Sequence, residues 1–221
     1  MIKKENSMKK IVLIGDSIRM NYDKFIKESL LGSAEVYYPK VNCRFTQNVL
    51  RMAHVWKQDE EMPDDVDLVH WNVGLWDCYE LYGDGPLTSD SYYKEMIGRI
   101  DRRFRMLFPN AKMIFATTTA VLEDQYGKDR CRHNAVIERF NALAREALAD
   151  TDTEINDLYA ITKDCPRSCH SDAMHYSNDE GLALVGGRVL DVLCNALDIP
   201  KTEVDMSVFE RENYTVKEIG N

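Results

Sequence analysis

Short apolar segments alternate with longer segments of helical periodicity along most of this chain. The strand-like segments and the helical segments cover, in turn, residues 10–15, 21–31, 34–39, 46–58, 67–74, 88–107, 111–119, 130–149, 153–160 and 179–197. Strands about 30 to 40 residues apart with helices between them are typical of βαβ units and a parallel sheet. Because such crossovers are right-handed, helices cover both faces of the sheet. The sequence therefore predicts an α/β fold, a three-layer α/β/α sandwich around five parallel strands.

The length and composition of the chain indicate one domain. A chain of 221 residues fits a single domain, and a hydrophobic content of 44% is enough for its core. No repeat or low-complexity linker divides the sequence, but the residues after Pro200 are polar and only weakly patterned. We predict one domain over residues 1–200 and a C-terminal tail or edge extension over residues 201–221.

The charge of the chain argues against nucleic acid and anionic membranes as partners. The 37 acidic residues outnumber the 28 basic ones and give a net charge of −9, whereas proteins that bind nucleic acid or anionic membranes carry basic patches. No apolar run approaches the roughly 20 residues of a membrane span, and no signal-peptide core of roughly 7–15 residues follows the N-terminal lysines. We expect a cytoplasmic protein with reduced cysteines that binds neither nucleic acid nor membrane, and a homo-oligomer stays open.

Two loops at one edge of the predicted sheet carry residues that could act together: a serine on one loop, and an aspartate and a histidine on the other. Ligands of open parallel sheets bind at the carboxyl ends of the strands; Ser17 follows the first strand, and Asp172 and His175 follow the fifth. A serine becomes a nucleophile when a base takes its proton, and an acid that fixes the base's tautomer improves that base. An aspartate three residues before a histidine reaches its Nδ1 and leaves Nε2 for the serine. The alternatives are that Ser17 caps a helix and that His175 is an ordinary loop histidine.

The two end motifs together resemble those of a known family. Gly-Asp-Ser after the first strand and Asp-x-x-His near the C-terminus are similar to the motifs of the SGNH/GDSL hydrolase superfamily, and the resemblance covers about residues 9–197. It implies a flavodoxin-like sandwich with an esterase site that needs no metal or organic cofactor. By this resemblance Ser17 is the nucleophile, His175 the base and Asp172 its orienting acid.

Two middle motifs depart from the pattern of that family. The family has a glycine after the second strand, whose N–H helps to bind the oxyanion, and here Cys43 or Arg44 lies nearest that position. It also has Gly-x-Asn-Asp after the third strand, and here Gly74 begins the stretch Gly-Leu-Trp-Asp. Since the loss of one oxyanion donor costs about 10²–10³ in rate, we expect Asn72 or Trp76 to act as the third donor.

Further side chains near the same edge indicate the kind of substrate. Arg19 and Arg44 fall beside the predicted site of an acidic protein, where they would read a carboxylate or phosphate, although arginines are more often solvated surface residues. Aromatic side chains there would stack on a sugar or hold an acyl chain. We therefore expect an esterase that removes a short acyl group, such as acetyl, from a small-molecule or carbohydrate ester.

Three other functions stay open at this point. The missing glycine and asparagine favour a catalytically impaired protein that binds such a ligand without cleaving it. An acyltransferase would use the same triad with an alcohol in place of water. The loop before the base also holds Cys165, Cys169 and His170, which together with His175 would make four zinc ligands, although in no common structural spacing.

Overall fold

The structure is a computed structural model that describes residues 8–219. Residues 1–7 of the predicted domain and residues 220–221 of the predicted tail lie outside the described residues. Within them the strands are β1 (Lys9–Ile14), β2 (Ala34–Tyr37), β3 (Leu68–Asn72), β4 (Glu80–Leu81), β5 (Lys112–Ala116), β6 (Arg130–Cys131) and β7 (Glu154–Asn156). Five of them form a parallel sheet in the order β2-β1-β3-β5-β7, and β4 and β6 form a separate antiparallel pair.

The helices lie between the strands and pack in two groups. They are α1 (Ser17–Ser29), α2 (Thr46–Asp59), α3 (Asp90–Leu107), α4 (Asn134–Leu148), α5 (Leu158–Thr162), α6 (Asp179–Gly181), α7 (Gly187–Leu197) and α8 (Val216–Ile219). A π-helical segment, Leu182–Gly186, joins α6 to α7. Helix α3 packs between α2 and α4, whereas α1 packs against α7 and the π-helical segment. The predicted three-layer α/β/α sandwich is confirmed.

The sheet forms the core because its central strands are mostly apolar and are buried on both faces. Strand β3 is buried along its whole length, and β1 is buried from Ile11 to Ile14. The register places Ile11 beside Leu68 and Ile14 beside Trp71. Such continuous apolar strands suit a parallel sheet that helices cover on both sides. The carboxyl ends of β1, β3, β5 and β7 therefore meet at one edge.

The structure differs from the predicted elements at the starts of two helices. Helix α1 begins at Ser17 rather than at residue 21, directly after the first strand. Helix α4 begins at Asn134 rather than at residue 130, because residues 130–131 pair with β4. The segment after Pro200 returns along the domain, since the backbone N–H of Thr202 donates to Ser29 and the N–H of Asn42 donates to Glu218.

No helix among residues 8–219 has the length and apolar character that crossing a membrane requires.

Candidate active site

Ser17 lies where β1 ends and α1 begins. Gly15 makes the close turn between them, because a Cβ at this position would overlap the side-chain oxygen of Asn72. Asp16 caps the helix, since its Oδ1 accepts the backbone N–H of Ile18 at 3.0 Å. The capping group is therefore Asp16, and the Ser17 hydroxyl is free for another role.

His175 joins Ser17 to Asp172. The Nε2 of His175 lies 2.8 Å from the Ser17 Oγ, and its Nδ1 lies 2.7 Å from the Asp172 Oδ2. The other carboxylate oxygen of Asp172 accepts the backbone N–H groups of Met174 and His175, both at 2.8 Å. Half-burial alone would raise the pKa of Asp172, but these hydrogen bonds outweigh it and hold the pKa well below its usual value. The carboxylate is therefore ionised beside the imidazole.

The loop that carries His175 is fixed by contacts with two other parts of the fold. Tyr176 is buried, and its hydroxyl donates a hydrogen bond to the carbonyl of Ala120 at 2.9 Å. The backbone N–H of Tyr176 donates to the Asn21 side chain on α1, and the carbonyl of Ala173 accepts the N–H of Leu122. These bonds bring the loop after β7 to the start of α1, although the two are far apart in the chain.

The loop after β2 is closed by its own hydrogen bonds. The N–H of Cys43 donates to the Gly15 carbonyl at 3.2 Å, and the N–H of Arg44 donates to the Asn42 side chain at 2.9 Å. Arg44 has φ 57°, the left-handed conformation that favours glycine. Burial raises the pKa of the Cys43 thiol to about 11. Arg44 thus takes the backbone conformation of a glycine position, and its N–H is already paired.

Asn72 and Trp76 lie in different surroundings. The Asn72 amide is buried and donates to the Asp16 Oδ1 at 2.9 Å, below the turn that carries Ser17. The Trp76 ring is partly exposed and packs against Tyr79, and the Arg44 guanidinium lies 5.9 Å from its centre. No hydrogen bond of the Trp76 indole is found within residues 8–219. Of the two side chains expected as the third donor, Trp76 is partly exposed with no hydrogen bond on its N–H, whereas Asn72 is buried and one hydrogen of its NH2 group is bonded to Asp16.

The loop after β3 is clamped to the start of α2. Gly74 has φ 145°, and a Cβ there would overlap the Thr118 hydroxyl. The buried carboxyl of Asp77 accepts the N–H and the hydroxyl of Thr46 and the hydroxyl of Thr88. Burial raises the pKa of Asp77 to about 6 despite these hydrogen bonds. The contacts of Gly74 and Asp77, which we call the clamp, therefore fix the backbone on both sides of Trp76.

Arg132 lies beside the same loop, and no local sequence pattern indicates a functional role for it. Its side chain is buried, its Nε donates to the Leu75 carbonyl at 2.5 Å, and its guanidinium lies 4.4 Å from the centre of the Tyr79 ring. The helical pattern over residues 130–149 includes Arg132, whereas the structure places it between β6 and α4. Its position depends on the long-range pairing of β4 with β6, which short-range periodicity does not reveal.

Arg19 lies inside the protein and not in a loop at the substrate edge. It is buried in α1, where its guanidinium pairs with Asp23 and donates to the Val41 carbonyl at 2.8 Å. The hydroxyl of Tyr214, from the C-terminal segment, also donates to Asp23. The expected role of Arg19 in reading a substrate anion therefore does not match its position, which instead helps to anchor the segment after Pro200.

A cavity of about 320 Å³ lies beside Ser17 and His175. One wall comes from α1 and the loop of His175, and the opposite wall comes from the C-terminal segment. The residues that line the cavity are Ser17, Met20, Asn21, His175, Ser177, Arg211, Glu212, Asn213 and Tyr214. All of them except Met20 have polar or charged side chains. Arg211 pairs with Asp179, and its Nε is buried without a hydrogen-bond partner among residues 8–219. The cavity thus offers polar groups to a ligand next to the Ser17 hydroxyl.

The alternative zinc site in the loop of His175 does not assemble. The Cys165 Sγ lies 3.6 Å from the His170 Nε2, but His175 is engaged with Ser17 and Asp172. Within residues 8–219, this loop does not bring three metal-ligand atoms together.

Solved structures share the fold of this chain. A lipase/acylhydrolase from Enterococcus faecalis has a TM-score of 0.65 and 18% identity, over 89% of this chain and 100% of that one. An acetyl xylan esterase has a TM-score of 0.61 and 18% identity, over 83% and 99%. A GDSL-like lipase from Bacteroides thetaiotaomicron has a TM-score of 0.65 and 13% identity, over 85% and 89%. No family model and no curated protein sequence matches the chain. These likenesses confirm the predicted fold.

Proposed function

We propose that the protein hydrolyses carboxylic esters, with Ser17 as the nucleophile, His175 as the base and Asp172 as the acid that orients His175. The observation that carries this proposal is the continuous line of hydrogen bonds from Asp172 through His175 to the Ser17 hydroxyl, at 2.7 and 2.8 Å. Both distances are within the reach that proton transfer requires. The fold shared with lipases and acylhydrolases supports the same class of reaction by analogy.

The reaction runs in two halves. The Ser17 Oγ attacks the ester carbonyl while the His175 Nε2 takes its proton, and His175 then gives this proton to the departing alcohol. Water attacks the resulting acyl-enzyme with His175 again as the base, which releases the acid and restores Ser17. The ionised Asp172 stabilises the imidazolium in both halves. These steps require no metal or organic cofactor.

The oxyanion needs donors that differ from those of the family pattern. The Ser17 N–H is the first of α1, where the free N–H groups and the helix dipole favour negative charge. The Trp76 indole N–H is our candidate for the donor in the asparagine's place, because the Asn72 amide is already paired with Asp16. Arg44, which lies beside the Trp76 ring, supplies positive charge near the same position. One such donor is worth about 10²–10³ in rate.

The cavity supports a small polar substrate. All but one of the residues that line it have polar or charged side chains, although carbon atoms form the larger part of the exposed wall, and its volume of about 320 Å³ is at the low end of the range for ligand pockets. A short acyl group, such as acetyl, on a sugar or another hydroxylated alcohol fits these properties better than a long lipid chain. The likeness in fold to an acetyl xylan esterase supports the same substrate class by analogy.

Turnover of p-nitrophenyl acetate and of acetylated sugars tests the proposal. We expect the wild type to release acetate and Ser17→Ala to fall to the background rate. The matched control is Ser168→Ala, an exposed serine in the loop that carries His175, which should keep the wild-type rate. Equal turnover by Ser17→Ala and the wild type would refute Ser17 as the nucleophile.

A ligand-binding protein without turnover is the second candidate. The observation that favours it is that the N–H groups of Cys43 and Arg44 and the Asn72 amide are all paired within the protein. Binding of an acetylated sugar by calorimetry, equal in the wild type and Ser17→Ala and without release of acetate, would support this function over hydrolysis.

A further inference from the structure

A group of three potential metal ligands lies on the small sheet, outside the lining of the cavity beside Ser17. Glu80 on β4 is the register partner of Cys131 on β6, and His133 follows two residues later. One ligand atom from each of the three side chains lies within 4.8 Å of the other two. In the part of the chain that the structure describes, no other set of His, Cys, Asp or Glu side chains meets this condition.

The separation of the sulfur and the imidazole nitrogen suits a tetrahedral zinc ion. The Cys131 Sγ lies 3.4 Å from the His133 Nε2. With Zn–S near 2.3 Å, Zn–N near 2.0–2.1 Å and a tetrahedral angle, these two atoms would lie about 3.5 Å apart around the ion. A thiolate, an imidazole and a carboxylate are the three ligand types that zinc takes in proteins.

The other nitrogen of His133 is held as metal-binding histidines require. Its Nδ1 lies 3.1 Å from the Glu123 Oε2, and the second oxygen of Glu123 accepts the backbone N–H of Asn134 at 2.7 Å. A carboxylate on one ring nitrogen fixes the tautomer and makes the other nitrogen the better ligand. Glu123 therefore leaves the lone pair of the His133 Nε2 on the side of Cys131.

We propose that Glu80, Cys131 and His133 bind one zinc ion, with water as the fourth ligand. The ion would join β4, β6 and the start of α4, which are separate in sequence and whose two strands share only two residue pairs. Arg132 lies between two of the ligands in sequence and donates to the Leu75 carbonyl. The zinc site thus braces the segment that holds Arg132 against the Gly-Leu-Trp-Asp loop.

Metal binding by the purified full chain tests the site directly. After treatment with a chelator, equilibrium dialysis against Zn²⁺ should give one tightly bound ion per chain for the wild type and none for Cys131→Ser. Glu123→Gln should bind about 10–100-fold more weakly, since it removes only the carboxylate that orients His133. Substitution with Co²⁺ should give a thiolate charge-transfer band that Cys131→Ser lacks.

The matched control is Cys165→Ser. Cys165 also contacts a histidine, with its Sγ 3.6 Å from the His170 Nε2, but among residues 8–219 it belongs to no group of three ligands. This variant should bind zinc as the wild type does. Circular dichroism shows that each variant is folded before dialysis. The proposal is overturned if the folded wild type binds no stoichiometric zinc, because His133 and Glu123 would then form only a surface ion pair. It is also overturned if Cys131→Ser keeps the bound zinc.

Discussion

At the scale of single residues, Asp16 and Ser17 have different roles at the turn after β1. Asp16 caps α1 and accepts the amide of Asn72, so the Ser17 hydroxyl is left to His175. The sequence alone predicted the partnership of Ser17, Asp172 and His175, because the two motifs lie at strand ends that a parallel sheet brings together. It did not predict the paired state of Asn72, which depends on the packing between β1 and β3.

Asp172→Asn tests the orienting acid. An amide at this position still reaches the His175 Nδ1, but as a donor it favours the wrong tautomer, and it lacks the charge that stabilises the imidazolium. We expect kcat for p-nitrophenyl acetate to fall about 10³–10⁴-fold in the folded variant. The control is Asp124→Asn. Asp124 forms an exposed ion pair with Arg167, which precedes His175 in the chain, and this variant should keep the wild-type kcat. Similar kcat values for the two variants would contradict the role of Asp172.

Trp76→Phe tests the indole N–H as an oxyanion donor. The substitution keeps a ring beside Tyr79 and Arg44 but removes the N–H, so we expect kcat to fall about 10²-fold while KM changes little. Tyr79→Phe, which changes a neighbouring ring without touching the proposed donor, should keep kcat. If Trp76→Phe retains full kcat, the oxyanion is stabilised by other groups.

At the scale of the elements, the strands of the main sheet and the long helices were predictable, whereas the two-residue strands β4 and β6 were not. The apolar runs of β1, β3 and β5 and the periodicity of α2, α3 and α7 carry strong local signals. Strands β4 and β6 have two residues each and pair across about 50 residues of chain, which leaves no periodic pattern. Arg19 was expected in a loop at the substrate edge, whereas it lies in α1 and forms a buried ion pair with Asp23.

The clamp between the loop after β3 and α2 should show in the dependence of stability on pH. Burial raises the pKa of Asp77 from 3.8 to about 6 in the folded protein, so the folded state keeps this proton while the unfolded state releases it. The stabilisation is therefore complete below pH 3.8 and is lost as the pH rises to about 6.

Asp77→Asn should remove this component of the pH dependence. We expect the free energy of unfolding, from urea titrations between pH 4 and pH 7, to fall less steeply with pH in Asp77→Asn than in the wild type. The exposed Asp84→Asn variant should keep the wild-type slope. An unchanged slope in Asp77→Asn would mean that Asp77 is already ionised at pH 4.

At the scale of the whole molecule, the candidate site is assembled from three distant parts of the chain. The start of α1 supplies Ser17, the loop after β7 supplies His175, and the C-terminal segment closes the cavity with residues 211–214. The fold class and the edge that holds the site followed from the alternation of strands and helices. The path of the C-terminal segment did not, because polar contacts such as that of Tyr214 with Asp23 anchor it, and these leave no pattern in sequence.

Tyr214→Phe tests whether the C-terminal segment is part of the substrate site. The loss of the hydroxyl removes the contact with the buried Asp23 and should loosen the wall that contains Arg211. We expect KM for the true substrate to rise several-fold while kcat stays within about twofold, since the change affects binding of substrate and transition state alike. Tyr82→Phe, at an exposed side chain, is the control. A fall in kcat with unchanged KM would argue against a role in binding.

The most direct test of an activated serine is labelling by a fluorophosphonate, measured by mass spectrometry of the intact protein and of its peptides. We predict one adduct on Ser17 in the wild type, none in Ser17→Ala, slower labelling in His175→Gln, and unchanged labelling in Ser177→Ala, which lines the same cavity. Folded wild type that takes up no label, or Ser17→Ala that labels as the wild type does, would refute Ser17 as an activated nucleophile.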